Sequence, residues 1–159
     1  MMRPFEEIIV EHGAAVLRAC RAMAGDADAD DVWSDTFLSA LRAYPDLRPE
    51  SNVRAWLITI ARHKVIDRVR TFARQAVPTD ALPDRAAPVG VDPTVLDEFL
   101  RDALALLAPK QRAAVIYRYL ADMSYADVAA SLGTNEAAAR RSAADGIANL
   151  RKVYPRRIP

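Results

Sequence analysis

Apolar residues recur at helical spacing along the first 75 positions, stop, and resume after position 94. Between residues 4 and 24, Phe5, Ile8, Ile9, His12, Val16, Cys20 and Met23 fall on one side of a helix of 3.6 residues per turn. Gly25 and a run of aspartates end that segment. A second helix is expected over residues 28–44, burying Val32, Trp33, Phe37, Leu41 and Tyr44, with its acidic first turn at the positive end of the helix dipole. Pro45 and Pro49 bracket a loop. Ser51 or Asn52 can then cap a third helix that runs to about Phe72 and buries Val53, Trp56, Leu57, Ile60 and Ala61. Three such stripes can close a small bundle.

From 76 to 93 the period vanishes, and Pro78, Pro83, Pro88 and Pro93 with Gly90 describe an extended linker. The stripe then returns as Val95, Phe99, Leu100, Leu104 and Leu107. Pro109 suits a first helical position, and its helix is expected to bury Val115, Ile116, Tyr119 and Leu120. Ser124 and Asp127 resemble a capping box before a short helix, Gly133 supplies a reversal, and Thr134 or Asn135 caps a last helix. The expected fold is all-α: two small helical domains, at residues 1–75 and 94–159, joined by a flexible Pro-rich linker at 76–93.

Composition narrows the function without naming it. About half of the residues are apolar and about a quarter charged, as in an ordinary soluble globular protein. No apolar run reaches membrane-spanning length and the first residues lack a signal-peptide core, so membrane insertion is not expected and a cytoplasmic place is. Cys20 is the lone cysteine and falls on an apolar stripe, which reads as a buried structural thiol. Two histidines, no Gly-rich phosphate loop and no nucleophile beside a base leave no catalytic constellation, and no cofactor is expected. Asp26-x-Asp28-x-Asp30 copies the start of a calcium loop, then fails at Asp31 and Phe37, where Gly and Glu are required.

A net charge of +1 hides a marked segregation. Asp26, Asp28, Asp30, Asp31 and Asp35 have no cation among them, which suits a basic protein partner. Arg62, Lys64, Arg68, Arg70 and Arg74 are opposed by Asp67 alone, which suits phosphate. Ser124 to Ile147 has the capping, turn and faces of a helix-turn-helix whose second helix can enter a major groove. Ala139, Ala143, Gly146, Ile147 and Leu150 line its inner side. Ala137, Ala138, Arg141, Ala144 and Asp145 line the other, with Arg140 on the flank. Small residues permit close approach there, and an arginine can read guanine with two hydrogen bonds. On the helix at 52–72, Arg54, Arg62, His63, Asp67 and Arg70 surround an apolar stripe, and such groups can hold phosphates and read splayed bases.

Three segments together resemble the extracytoplasmic-function (group IV) sigma factors of bacterial RNA polymerase, in order and spacing over nearly the whole chain. Residues 28–42 are similar to the family's polymerase-binding helix, and residues 55–70 to its promoter-melting and minus-ten-reading helix. Residues 106–120 with 124–133 are similar to its domain for the minus-thirty-five element. The resemblance implies core RNA polymerase and promoter DNA as partners, and an anti-sigma factor, which often holds members inactive. It places Asp31, Asp35, Phe37 and Leu38 at the polymerase contact. Arg54, Arg62, His63, Asp67 and Arg70 fall at the minus-ten and melting site. Asn135, Glu136, Ala137, Ala138, Arg140, Arg141, Ala144 and Asp145 fall at the minus-thirty-five site.

Two departures stand out. His63 replaces an asparagine common in the melting helix. Asp145 replaces a common cation and lies one turn from Arg141, close enough to pair with it. Gly146 is expected to weaken the recognition helix by roughly 1 kcal/mol relative to Ala. These departures leave a second reading open: a sigma-like protein that sequesters an anti-sigma factor without reading DNA.

Overall fold

The structure, a computed structural model, describes residues 2–75 and 98–153; the expected linker at 76–93 lies outside them, as do Val95 and the basic pair Arg156 and Arg157. The described residues form seven α-helices and no strand: α1 (Phe5–Ala24), α2 (Asp26–Ala43), α3 (Val53–Arg74), α4 (Glu98–Ala105), α5 (Pro109–Val115), α6 (Tyr125–Leu132) and α7 (Glu136–Val153). A 3-10 turn at Tyr44–Asp46 follows α2, and a π turn at Ile116–Leu120 extends α5.

Local chemistry sets each boundary. Gly25 at φ 83° turns the chain between α1 and α2, where a Cβ would be strained. Asn52 Oδ1 accepts from the Ala55 amide and starts α3. Ser124 Oγ accepts from the Asp127 amide and opens α6. Gly133, left-handed at φ 66°, closes it while Thr134 N donates to Ala129 O at 2.9 Å, a Schellman ending.

Helices α1, α2 and α3 close a three-helix unit around Ile8, Val16, Cys20, Val32, Phe37, Leu57 and Ile58, all buried. Trp33 and Phe37 stack at 4.5 Å, with Phe5 at 6.3 Å from Phe37 and 5.3 Å from Tyr44. The inner faces of α2 and α3 differ from expectation. Thr36 and Ala40 are buried on α2, whereas Leu41, one position beyond Ala40, is 50% exposed. Thr36 is accommodated because its hydroxyl donates to Val32 O at 2.7 Å. On α3, Ile58 is fully buried while Val53, Trp56 and Ile60 are half-buried.

In the second unit, α5, α6 and α7 pack around Leu104, Val115, Ile116, Val128, Ala139, Ala143 and Leu150. The π turn, with Ala121 N donating to Ile116 O at 2.9 Å, inserts an extra residue and rotates the positions after it. Tyr117 therefore faces the core, and Tyr119, expected inside, is 56% exposed. Phe99 also lies on the exposed side of α4.

The two units share one apolar cluster instead of standing apart. Helix α1 packs on the π turn, and α3 on α6. Polar bonds cross the same seam: Arg18 Nε donates to Leu120 O at 2.9 Å, Asn52 Nδ2 to Asp127 Oδ2 at 2.6 Å, and Arg101 pairs with Asp26 at 3.1 Å.

At Gly146, α7 passes close against α5. A Cβ there would sit 2.6 Å from Val115 Cγ2 and 3.2 Å from Gln111 O. Its low helix propensity is thus outweighed by packing, contrary to a purely local reading. Gly146→Ala is expected to destabilise the protein by about 1–3 kcal/mol of overpacking, against a propensity gain of roughly 0.5–1 kcal/mol. Denaturant melts of both proteins check the sign.

Candidate nucleic-acid interface

Helix α3 buries Leu57, Ile58 and Ala61, and Arg62, His63, Asp67 and Arg70 are all exposed. His63, Asp67 and Arg70 share one outer face at i, i+4 and i+7, whereas Arg62, one turn on from buried Ile58, stands at its edge. Val69 and Phe72 lie exposed on the same C-terminal half of the helix, adding apolar surface beside the charges. Arg54 does not join them. It occupies the register i, i+3, i+4, i+7 with Leu57, Ile58 and Ala61, so it points inward. Its Nε donates to His12 Nδ1 at 3.1 Å, and its Nη1 lies 3.6 Å from Asp122 Oδ2 across the seam. Only 22% of its side chain is exposed.

The cations of α3 are further thinned by pairing. Arg68 donates to Asp28 Oδ1 at 3.1 Å and lies 3.7 Å from Asp31 Oδ2. The aspartate cluster is therefore partly neutralised from within, at Asp28 by Arg68 and at Asp26 by Arg101. On α2, Asp31, Asp35 and Leu38 stand at i, i+4, i+7 on one exposed face. Phe37, expected beside them, is buried against Trp33 and Phe5 and has no surface to offer a partner.

In the helix-turn-helix, Asn135 Oδ1 accepts from the Ala138 amide at 2.8 Å and caps α7. Ala139, Ala143, Gly146 and Leu150 face inward, while Glu136, Ala137, Arg140, Arg141, Ala144 and Asp145 are exposed, with Ala138 half-buried at the edge. The expected Arg141–Asp145 pair does not form. Arg140 Nη2 instead donates to Glu136 Oε1 at 2.7 Å, one turn earlier, and its guanidinium lies 4.4 Å from the centre of the Tyr125 ring. Arg118 lies 4.6 Å from the same ring. The Tyr119 phenol is raised chiefly by its hydrogen bond to Tyr125. This aromatic–cation cluster was missed in the sequence, because Tyr125 and Arg140 come together only through the turn at Gly133.

Cys20 is buried and its thiol is pushed up to about 12 by burial, which leaves it an unreactive packing group. No group of side chains among the described residues has the arrangement of a metal site, and no described helix is long and apolar enough to cross a membrane.

One exposed polar helical face thus lies in the helix-turn-helix and another on α3 of the three-helix unit. The family models for Sigma-70 region 2 and Sigma-70 region 4 match residues 8–75 and 99–150. The chain is 32% identical over 154 residues to RNA polymerase sigma factor CarQ of Myxococcus xanthus, spanning 94% of this chain and 88% of CarQ. It is 33% identical over 133 residues to the ECF RNA polymerase sigma factor SigL of Mycobacterium tuberculosis, spanning 79% of this chain and 75% of SigL. Among solved structures, the sigma factor RpoE in complex with the anti-sigma factor NepR from Bartonella quintana is similar at a TM-score of 0.75 and 23% identity, over 94% of this chain and 95% of that one. CnrH in complex with the cytosolic domain of CnrY is similar at 0.67 and 24%, over 93% and 85%. These two show the shared fold. The chain belongs to the extracytoplasmic-function sigma factors of RNA polymerase, and it directs the core enzyme to promoters.

His12 gives a pH signature of the seam. Burial first, then the Arg54 cation, holds its imidazole below the ordinary 6.5, while Glu11 pulls the other way and Arg3 adds to Arg54. The neutral ring is also the form that accepts from Arg54. Below the ordinary value the unfolded chain binds a proton that the folded chain refuses, so stability is full above 6.5 and falls as pH drops toward the lowered value. His12→Gln, which can still accept from Arg54, is expected to remove this part of the loss. Melting curves from about pH 7.5 to about pH 5 test it.

Proposed function

We propose that residues 1–75 form the unit that binds core polymerase and opens the minus-ten element, and residues 94–159 the unit that reads the minus-thirty-five element. The observation that carries this is the pair of outward faces. On α3, Arg62 and Arg70 are free to hold phosphates while His63 and Asp67 face splayed bases. On α7, Asn135, Glu136, Ala137, Ala138, Arg140, Arg141, Ala144 and Asp145 meet the major groove, with Arg140 and Arg141 as the base readers. Arg54 is assigned instead to the seam, between His12 and Asp122.

The two elements lie about 25 base pairs apart, roughly 85 Å of duplex at 34–36 Å per turn. Units packed side by side cannot touch both, so promoter binding requires the seam to open. We include an anti-sigma partner in this reading, since the similar sigma factor RpoE is in complex with the anti-sigma factor NepR. We further place the protein in the cytoplasm, acting through binding with no chemistry of its own.

The decisive experiment is run-off transcription with purified core polymerase on genomic fragments. Discrete starts that depend on the protein are expected, and the absence of any would overturn the reading. On the polymerase side, Asp31, Asp35 and Leu38 form the docking face, Asp31 keeping most of its surface despite Arg68. Reversing Asp31 and Asp35 to Lys is expected to weaken core binding with helicity unchanged. Equal retention of wild type and double variant in a pull-down would refute that face.

A further inference from the structure

We infer that Tyr125, on the first helix of the helix-turn-helix, is a positioning residue that presets Arg140 of the recognition helix for reading one base pair of the minus-thirty-five element. The inference rests on the proposed contact between Arg140 and DNA.

Tyr125 is the first residue of α6, and its place is fixed from three sides. Ser124 caps the helix it begins, Tyr119 on the π turn lies close enough for its phenol to be raised by the Tyr125 hydroxyl, and Arg118 lies over its ring. Arg118 is itself held, since its Nη1 donates to Met123 O at 2.9 Å. The ring is thus an anchored surface. Arg140 lies on it at 4.4 Å, yet 59% of its side chain remains exposed. Glu136 takes one Nη2 hydrogen at 2.7 Å, leaving the other donors of the planar fork free.

A long side chain free in solvent loses rotamer freedom when it binds a base edge, and a guanidinium already resting on an aromatic face loses less. Arg141, one position on, has no such support among the described residues and stands exposed. The two arginines of the reading face therefore differ in kind. Arg140 is preset and suited to bidentate recognition of guanine, while Arg141 adapts.

The test uses the full-length protein with core polymerase and a duplex selected from a randomised minus-thirty-five library by the wild-type holoenzyme. Each position of that duplex is then varied in turn. Arg140→Ala is expected to lose roughly 5- to 150-fold at one base pair, the range for a bidentate contact. Tyr125→Leu is expected to lose about two- to fivefold at that same base pair, the size of one exposed cation–π contact, and nothing elsewhere. Tyr125→Phe keeps the ring and should retain the preference. In an Arg140→Ala background, Tyr125→Leu should have no further effect. If Arg140→Ala costs binding but Tyr125→Leu is silent, or weakens every duplex equally with Arg140 present or absent, Tyr125 is merely structural and the inference falls alone. If Arg140→Ala changes nothing, the reading of Arg140 falls and takes the inference with it. Should Tyr125→Leu fail to fold, Tyr125→Phe losing the base preference would overturn the inference in the same way.

Discussion

A guanidinium on the apolar side of a helix must find acceptors, and Arg54 is such a group. It stands in line with Leu57, Ile58 and Ala61, where burial without partners would be costly. His12 on α1 takes its Nε hydrogen, and Asp122, beyond the π turn, faces its Nη1. One side chain thereby ties α3 to α1 and the first unit to the second. Asp122 itself is the sole non-glycine described residue at positive φ, 56°, a conformation that needs its surroundings to hold it. The way the two units meet follows from satisfying this cation, together with Asn52 on Asp127 and Arg18 on Leu120 O.

That seam and the proposed promoter contacts make opposite demands. The N-terminal end of α3 is occupied by α6 and its preceding turn, while its C-terminal half keeps Arg62, His63, Asp67 and Arg70 in solvent. Exposed polar contacts such as Asn52–Asp127 contribute modestly, and the cross-seam apolar contact is small beside the two cores. A partner that binds the separated units more tightly than the packed pair can therefore shift the balance between them.

Much of this was legible in the residues. Stripe spacing gave the three-helix unit and the inner face of α7, and residue type gave the cap of α3 as Ser51 or Asn52, the cap of α6 at Ser124 and the reversal at Gly133. Short-range rules suffice there because caps, turns and helical faces are settled within one or two turns of chain. Arg54 was also readable in principle: its register with the buried stripe places it inward, but its charge drew it to the DNA face. Phe37 went the other way, placed at a partner contact by resemblance while its register with Val32 and Trp33 marked it as core.

Other features were beyond any local rule. Nothing near residue 146 says that a Cβ would strike Val115, because α5 and α7 meet only after both helices and the turn between them have formed. The π turn that moved Tyr119 out and Tyr117 in depends on how α1 and α6 close around it. The ion pairs of Arg68 with Asp28 and Arg101 with Asp26 cross between helices, so a charge map along the chain overstated both the acidic and the basic surface. The sequence by itself determined the helices, their caps, the two exposed helical faces and the family. The tertiary structure alone decided which charges remain free and how closely the recognition helix is held, because those depend on distances between residues far apart in the chain.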